Sequence, residues 1–326
     1  MVALICREWG PPAALSLEEP SARAPGPGEV VVKAEAAALN FADSLIVQGK
    51  YQIKPSFPFT PGFEAAGTVT AAGKGVTCVK PGDRVMTALQ YGGMSSRVLA
   101  AEKRVFPLPD NVPFTDAAAF PVIYGTSHIG LAARGNLQAG ETLLVLGATS
   151  GVGLSAIEIG KAMGARVLAQ VRGGDKGQVA LAAGADAIID TTAADLRDSV
   201  KELCGGGGVD VVYDPIGGDL ADQSLRCVNW GARLLIVGFA AGRIQQIPAN
   251  HLLVKSVSAT GVFWNSHFEH DPAGMRASFA SLAAWQAEGK LKPLIREALP
   301  VQDFTRAFDL LLDRQEPGKI VLTFDE

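Results

Sequence analysis

Apolar residues in the second half of the chain occur in short continuous runs, each separated from the next by a segment compatible with a helix. Residues 142–153 have the sequence TLLVLGATSGVG, an apolar run followed by a glycine-rich turn. Residues 154–165 then place apolar side chains at helical spacing. Further apolar runs follow at 166–171, 187–189, 209–213 and 234–239. Apolar strands that alternate with helices predict an α/β fold with a doubly wound parallel sheet.

The turn between positions 147 and 153 carries the first chemical signal. Glycine at 147, 151 and 153 lets backbone N–H groups approach a ligand without a Cβ clash, and the helix N-terminus that follows favours an anion. The spacing departs from a strict Gly-x-Gly-x-x-Gly, so the glycines alone would also suit an ordinary strand-to-helix turn. The surrounding strand–helix–strand unit of about 30 residues favours a dinucleotide-binding Rossmann domain. We therefore expect the cofactor to contact Gly147, Ala148, Thr149, Ser150, Gly151, Val152 and Gly153.

The first part of the chain, to about residue 115, has a different pattern. It is dense in Gly and Pro, with turn signals such as the sequence PGPG at 25–28. Between these signals are short β-like runs at 3–6, 30–34, 65–69, 84–88 and 97–100. Such a pattern predicts a mostly β, partly open barrel as a separate domain.

The last part of the chain follows the predicted parallel sheet. Residues 272–290 and 301–315 have helical patterns, and residues 319–324 have the pattern of a strand. Because the parallel sheet is complete before these elements, we expect them to return to the first domain. The predicted domains are a mostly β domain at 1–119 with 264–326, and a Rossmann domain at 120–263.

The composition of the whole chain narrows the class of protein. A length of 326 residues suits two domains. With 48% hydrophobic and 19% charged residues and a net charge of -4, the chain resembles a globular protein without a basic surface for nucleic acid. No apolar run is long enough to span a bilayer, so we expect a cytoplasmic protein without a membrane segment. The four cysteines include no Cys-x-x-Cys pair, which argues against a disulfide framework or a cysteine-rich zinc site.

Several short motifs accompany the glycine turn. They are NFAD at 40–43, GKY at 49–51, PGFEAAG at 61–67, GDRV at 82–85 and YGT at 124–126. With these motifs the chain resembles the medium-chain dehydrogenase/reductase superfamily over essentially its full length, and within it the zinc-independent quinone oxidoreductases that include zeta-crystallin. The resemblance implies a GroES-like domain, a Rossmann domain and NADPH in the cleft between them. It also implies a homodimer formed through the edge strand of the Rossmann sheet, expected at residues 256–264.

Two positions indicate whether the chain can bind a catalytic zinc ion. Zinc-dependent relatives have a cysteine where this chain has Asn40 and a histidine where it has Phe63. Neither residue supplies the thiolate or the imidazole that a catalytic zinc binds, so we expect chemistry without a metal. The chain also departs from some quinone reductases, which carry a tyrosine and an arginine where Leu45 and Val47 stand. We therefore expect a more apolar substrate pocket, and the acceptor does not follow from the resemblance.

The choice of cofactor depends on the end of the second strand. An Asp or Glu at this tip would bind the ribose 2′-hydroxyl of NAD, whereas this chain has Arg172. An arginine can pair with a 2′-phosphate through charge-assisted hydrogen bonds, and Lys176 is a second candidate for the same contact. A solvated basic loop is the simpler alternative, and Asp175 leaves NAD open. We predict NADPH.

Asn40 and Tyr51 are the candidate catalytic residues. A side-chain amide can orient a carbonyl or the ribose, and a phenol can donate a hydrogen bond to an oxygen that gains charge as hydride arrives. The alternatives are a turn residue for Asn40 and a packing role for Tyr51. We further expect cofactor contacts from Thr126, Phe239 and Phe263. Helix capping is the alternative for Thr126, and a place in the substrate cleft or at a subunit edge is the alternative for Phe263.

The sequence thus predicts an NADPH-dependent, zinc-independent quinone oxidoreductase that transfers hydride to a small conjugated acceptor. Reduction of the C=C bond in enals, enones or enoyl thioesters uses the same hydride geometry, and the sequence does not separate the two reactions. A hypothesis of another class is a non-catalytic, crystallin-like protein that binds NADPH.

Overall fold

The computed structural model describes residues 1–313 and 315–324. Three positions included in the sequence predictions lie outside this part of the chain: Arg314 in the expected helix 301–315, and Asp325 and Glu326 at the end of the expected first domain. Within the described ranges, no helix is both long enough and apolar enough to cross a membrane.

The elements are numbered in chain order. The strands are β1 (Ala3–Ile5), β2 (Ser16–Glu18), β3 (Glu29–Ala38), β4 (Glu64–Ala72), β5 (Arg84–Ala88), β6 (Arg97–Ala101), β7 (Val105–Pro107), β8 (Thr142–Val145), β9 (Arg166–Val171), β10 (Ala187–Asp190), β11 (Val209–Asp214), β12 (Val228–Ile236), β13 (Ser258–Gly261), β14 (Ile295–Pro300) and β15 (Lys319–Thr323). The helices are α1 (Phe41–Val47), α2 (Phe114–Ala118), α3 (Pro121–His128), α4 (Gly151–Ala162), α5 (Gly174–Ala182), α6 (Leu196–Leu203), α7 (Gly218–Ser224), α8 (Ala249–Lys255), α9 (His267–His270), α10 (Pro272–Ala287) and α11 (Phe304–Asp313). A π-helical segment, Ile129–Arg134, continues α3, and short 3-10 helices occur at Pro12–Ala14, Glu102–Arg104, Trp264–Ser266 and Val301–Asp303.

The chain divides into two compact units, and the first consists of Met1–Val122 with Pro293–Glu326. Its main sheet has the strand order β14-β15-β3-β4-β5-β7, with β6 also paired to β3. The strands pair in antiparallel sense, apart from the parallel pair β14–β15. Val32, Ile46 and Phe63 belong to the buried core of this unit. The prediction of a mostly β domain formed by the first part of the chain is confirmed.

The second unit, Ile123–Lys292, contains a six-stranded sheet with the order β10-β9-β8-β11-β12-β13. All neighbours in this sheet run parallel, and the order along the chain is that of a doubly wound Rossmann sheet. Strands β8, β9 and β11 are almost entirely buried, which explains why their sequences are continuous apolar runs. The predicted α/β fold is therefore confirmed.

The outermost strand, β13, is shorter than the sequence suggested. The N–H of Val257 donates to Leu252 O (2.9 Å) at the end of α8, so strand pairing begins only at Ser258. At the other end, the N–H of Val262 donates to Ile236 O in β12 (2.9 Å). Since alternate residues of a strand face the same neighbour, Ala259 directs its N–H and C=O to the open side of the sheet.

Residues 264–292 belong to the second unit, which differs from the domain boundary expected at 263. The indole of Trp264 packs against α3 so closely that a Cβ added to Gly125 would lie 2.5 Å from its Nε1. On α10, Ser278 Oγ lies 2.8 Å from His128 Nδ1. These contacts hold the segment against the unit that contains the parallel sheet.

We predict that Gly125→Ala destabilises the protein by roughly 1–3 kcal/mol, because the added methyl group overlaps the buried indole of Trp264. Chemical denaturation followed by tryptophan fluorescence measures the change. Gly261→Ala is the matched control, since a Cβ there meets no atom within 4 Å. Equal losses of stability in the two variants would contradict this explanation.

Candidate functional site

The glycine turn between β8 and α4 is a place of close backbone approach. Gly147 has a φ of 57°, and a Cβ added there would lie 2.4 Å from Ile216 Cδ1. A Cβ added to Gly153 would lie 2.4 Å from the carbonyl oxygen of Gly147. Ser150 caps α4, and its hydroxyl accepts the N–H of Gly153 (3.1 Å). Larger residues at positions 147 and 153 would therefore disrupt the turn.

The backbone N–H groups of this turn fall into two sets. Gly147 donates to Gln170 Oε1 (2.9 Å), and Ala148 donates to the backbone oxygen of the same residue (3.0 Å). Three others have no acceptor within residues 1–313 and 315–324, and these belong to Thr149, Gly151 and Val152. Unpaired donors at the positive end of a 12-residue helix form an anion-binding site. The turn therefore fits the pyrophosphate of a dinucleotide.

Gln170 supports this turn and was absent from the site residues predicted from the sequence. Its amide is buried at the end of β9, where Nε2 donates to Val171 O and to Thr191 Oγ1 (both 2.8 Å) while Oε1 accepts the N–H of Gly147. The side chain thus holds the turn against the ends of two strands. The signal in the sequence was a polar residue within an otherwise apolar, buried strand.

Arg172 directly follows β9 and is exposed. The nearby carboxylate of Asp190 accepts from the N–H groups of Thr192 (3.0 Å) and Gly173 (3.0 Å), and these bonds hold the pKa of Asp190 below its ordinary value. In the part of the chain that the structure describes, Arg172 has no ion-pair partner. Together with Lys176 in the first turn of α5, it provides basic side chains at the tip where a 2′-phosphate was predicted.

Four of the predicted cofactor residues follow the carboxyl ends of strands, and these ends lie at one edge of a parallel sheet. They are Gly147 after β8, Arg172 after β9, Phe239 after β12 and Phe263 after β13. Phe239 and Phe263 are both exposed. A Cβ added to Gly217, in the loop after β11, would lie 3.3 Å from Phe239 Cδ1, so the loops after β11 and β12 are in close contact.

Thr126 lies on α3, beside a buried network of hydroxyl groups. The neighbouring Ser127 donates to Val152 O (3.0 Å), and its Oγ lies 2.9 Å from both Ser155 Oγ and Tyr213 OH. This network fixes α3 against the start of α4 and against β11. Thr126 is therefore adjacent in the chain to Ser127, which contacts α4. A contact of Thr126 itself with the cofactor stays a prediction.

Asn40 lies in a buried group that we call the Lys319 cluster, formed by Lys319, Asn40 and Glu64. Lys319 Nζ lies 2.7 Å from Asn40 Oδ1 and 2.8 Å from Glu64 Oε1, and Asn40 Nδ2 donates to the same carboxylate oxygen (2.8 Å). The side chains of Lys319 and Glu64 are 6% and 0% exposed. Lys319 was not among the site residues predicted from the sequence, and its only signal is its place at the start of the last strand. Among the described residues, His, Cys, Asp and Glu side chains form no group of three suited to a metal ion.

Tyr51, the other candidate catalytic residue, lies in the same unit and packs edge-on against Phe63, with 5.2 Å between ring centres. Burial, and secondarily the charge of Asp43, raises the pKa of Tyr51 to about 12. Burial raises the pKa of Asp43 to about 7, although the N–H of Asn40 donates to it (2.7 Å). Tyr51 is therefore a neutral phenol at pH 7, the form that can donate a hydrogen bond. Asp43 interacts with both candidate catalytic residues.

Glu158 on α4 is a second carboxyl group with a changed pKa. Its Oε2 accepts hydrogen bonds from Tyr124 OH (2.5 Å) and from the N–H of Lys292 (3.3 Å). Burial raises the pKa of Glu158 to about 7, and the two hydrogen bonds oppose this shift. Tyr124 belongs to the YGT motif, and its hydrogen bond to Glu158 connects α3 with α4.

Known proteins with the same architecture cover almost the whole chain. Residues 26–110 match the alcohol dehydrogenase GroES-like domain, and residues 151–281 match the zinc-binding dehydrogenase domain. The chain is 38% identical to the quinone oxidoreductase-like protein 2 homolog of Nematostella vectensis, over 98% of this chain and 88% of that protein. The structure of Escherichia coli quinone oxidoreductase complexed with NADPH matches with a TM-score of 0.90 and 30% identity, over 99% and 100% of the two chains. A 2-haloacrylate reductase matches with a TM-score of 0.89 and 26% identity, over 100% of each chain.

A GroES-like unit and a Rossmann unit with this glycine turn define a medium-chain dehydrogenase/reductase. Within that superfamily, the chain belongs to the quinone oxidoreductase family. The matched zinc-binding dehydrogenase domain begins at residue 151, so it contains neither Asn40 nor Phe63. The name of that domain therefore carries no information about a metal at these two positions.

We predict that Glu158→Gln changes the pH dependence of stability. The pKa of Glu158 is raised in the folded protein, so its contribution is full below the ordinary carboxyl pKa and is lost as the pH rises through about 7. Glutamine stays neutral, and the variant should therefore gain roughly 1–3 kcal/mol relative to the parent between pH 5 and pH 8. Denaturant titrations across this range measure the difference. The exposed Glu202→Gln is the control, and parallel curves for parent and Glu158→Gln would contradict the prediction.

Proposed function

We propose that the protein is an NADPH-dependent oxidoreductase that transfers a hydride to a quinone or a similar conjugated acceptor without zinc. The observation that carries the proposal is the set of unpaired N–H groups at the start of α4, those of Thr149, Gly151 and Val152. They form an anion site at the position where a Rossmann sheet holds a dinucleotide. The likeness to a quinone oxidoreductase complexed with NADPH supports the same cofactor here.

In this proposal the chain binds NADPH at three kinds of contact. The N–H groups of the glycine turn hold the pyrophosphate, and Arg172 and Lys176 pair with the 2′-phosphate. Thr126, Phe239 and Phe263 contact the remainder of the cofactor. When bound, NADPH supplies the hydride.

Asn40 and Tyr51 act at the acceptor. As hydride arrives, an acceptor oxygen gains negative charge, and the neutral phenol of Tyr51 donates a hydrogen bond to it. The amide of Asn40 orients either the acceptor carbonyl or a cofactor oxygen. One proton from Tyr51 or from water completes the reduction of a quinone to a hydroquinone, and water restores the phenol.

The proposal of zinc independence rests on the available ligand atoms. A catalytic zinc takes three protein ligands, commonly thiolate, imidazole or carboxylate. Phe63 has no ligand atom, and Asn40 Oδ1 already accepts a hydrogen bond from Lys319. The positive charge that this cluster holds is the ammonium group of Lys319.

A second candidate function is the reduction of a C=C bond conjugated to a carbonyl group. The likeness to a 2-haloacrylate reductase favours it, since that name describes a substrate with such a bond. Both reactions deliver hydride from nicotinamide to an electron-poor acceptor, so the residues proposed above serve either of them.

The experiment that tests the function follows NADPH absorbance with quinones, enals and an enoyl thioester side by side, before and after exhaustive chelation. We expect quinones to be reduced fastest, and we expect chelation to leave the rate unchanged. Faster turnover of an enal or enoyl thioester would establish the second candidate. NADPH binding without turnover of any acceptor would favour a non-catalytic protein, and activity that chelation removes and zinc restores would contradict zinc independence.

We predict that Arg172→Ala reduces the preference for NADPH over NADH. Loss of a charge-assisted contact to phosphate should weaken NADPH binding by about 1.5–3 kcal/mol, roughly ten- to a hundredfold, and leave NADH binding nearly unchanged. Titration of both cofactors against both proteins measures this. Arg197→Ala removes an exposed arginine from α6 and serves as the control. Equal NADPH affinity in Arg172→Ala and parent would remove Arg172 from the proposed site.

We also propose a homodimer that forms at the open side of β13. The backbone groups of Ala259 face this side, and an exposed edge strand invites pairing with another chain. Large apolar side chains lie exposed on neighbouring elements: Trp230 on β12 is 77% exposed, and Leu253 and Val254 on α8 are 79% and 69% exposed. A two-fold contact would bury each of these side chains twice.

Leu253→Lys should convert the dimer to monomer, because one substitution places two charges in the contact. Ala259→Pro removes an N–H from the open side of β13 without removing a bond to β12, and it should have the same effect. Light scattering at micromolar concentration measures the mass. Leu181→Lys, on α5, is the control for an added charge at an exposed leucine. A monomeric parent, or two folded variants that remain dimeric, would refute this interface.

A further inference from the structure

Lys319 holds a positive charge that is almost completely removed from solvent. Each of the three donors on its ammonium group has an acceptor, namely Leu39 O (2.7 Å), Asn40 Oδ1 (2.7 Å) and Glu64 Oε1 (2.8 Å). A buried ammonium group with all of its donors used cannot rotate without losing hydrogen bonds. Lys319 therefore presents a fixed charge to Asn40.

The groups around Asn40 are fixed as well. Glu64 Oε1 accepts from Lys319 and from Asn40 Nδ2, while Glu64 Oε2 accepts the N–H of Val122 (2.8 Å). The main chain of Asn40 is held because its N–H donates to Asp43 Oδ2 (2.7 Å). Neither the carboxylate nor the backbone can move to accommodate another orientation of the Asn40 amide.

A side-chain amide has two orientations, related by a half-turn that exchanges its oxygen and its nitrogen. In the observed orientation, the oxygen of Asn40 faces the ammonium group and an N–H faces the carboxylate. The reverse orientation would place N–H groups of Asn40 and Lys319 against each other, and oxygens of Asn40 and Glu64 against each other. The buried ion pair therefore selects one orientation.

We infer that Lys319 is a positioning residue, which fixes the Asn40 amide so that Asn40 meets a bound ligand as a hydrogen-bond donor. This inference rests on the proposed function, in which Asn40 contacts an oxygen of the acceptor or of the cofactor. An amide nitrogen carries two N–H groups, and Glu64 takes one of them. The second N–H is the donor for the ligand oxygen, and the hydrogen bond from Lys319 to Oδ1 polarises the amide and strengthens that donor.

A double-mutant cycle tests the inference. Glu64→Gln combined with Lys319→Met removes both buried charges together and leaves neither unpaired, which proteins often tolerate. Asn40→Ala is then measured in the parent and in this neutralised background. We expect kcat/KM for acceptor reduction to fall on the order of tenfold with Asn40→Ala in the parent. We expect the neutralised variant to have lost about as much kcat/KM as Asn40→Ala. Adding Asn40→Ala to it should then lower kcat/KM by less than about twofold.

A purely structural role for Lys319 leads to a different result. Asn40→Ala would then cause the same loss in both backgrounds, and that outcome would overturn the inference. Thermal unfolding establishes that the neutralised variant is folded. Glu288→Gln with Lys290→Met removes an exposed ion pair (2.6 Å) and is the matched control, for which kcat/KM should equal that of the parent.

A measurement independent of turnover separates this inference from the proposed function. In ¹⁵N-labelled protein, the Asn40 side-chain amide is assigned by its absence from the spectrum of Asn40→Ala. We expect the proton that bonds to Glu64 to exchange slowly with solvent in the parent and faster in the neutralised variant, because the ion pair no longer fixes the amide. An amide signal that is unchanged on neutralisation would overturn the inference, whereas a parent that reduces no acceptor would overturn only the proposed function.

Discussion

The glycine turn after β8 works only because the backbone there comes closer to its neighbours than any side chain would permit. Gly147 lies against Ile216 from the loop after β11, and Gly153 lies against the carbonyl oxygen of Gly147. Gln170, the Ser150 hydroxyl and the Gly147 carbonyl accept the other N–H groups of the turn, which leaves those of Thr149, Gly151 and Val152 for an anion. The strand order then brings the loops after β8, β9, β12 and β13 to the same edge of the sheet, so the other candidate cofactor residues depend on this arrangement.

Apolar periodicity was sufficient to predict the parallel sheet, because strands buried on both faces must be apolar along their length. The same periodicity could not assign α10 to a unit. An amphipathic helix has the same pattern whichever sheet it covers, so the continuation of the second unit to Lys292 is visible only in contacts such as Ser278 with His128. The late start of β13 likewise shows only in local contacts at the end of α8, where the N–H groups of Ser256 and Val257 donate to carbonyl oxygens of the helix.

Site residues that belong to a sequence motif could be predicted. Polar residues that contact the site only because the fold buries them could not. Asn40 and Tyr51 lie in recognisable motifs of the first domain. Their partners carry no such mark: Lys319 is 279 positions from Asn40, and a lysine at the start of a strand is ordinarily solvated. Gln170 is a similar case, because its amide bonds to a turn that is 23 positions earlier in the chain. Only the fold shows that Lys319 is buried beside Asn40, and that Gln170 is buried beside the glycine turn.

Two residues at the end of β9, Gln170 and Arg172, have different proposed roles, and this difference affects how cofactor preference can evolve. Gln170 is buried and holds the backbone of the glycine turn, the proposed pyrophosphate site, whereas Arg172, two positions later, is an exposed side chain at the proposed 2′-phosphate site. Substitution of an exposed residue ordinarily changes stability by less than about 0.5 kcal/mol. In the proposed site, a substitution of Arg172 would therefore change the preference for a phosphorylated cofactor at the surface and leave intact the turn that is proposed to bind the pyrophosphate.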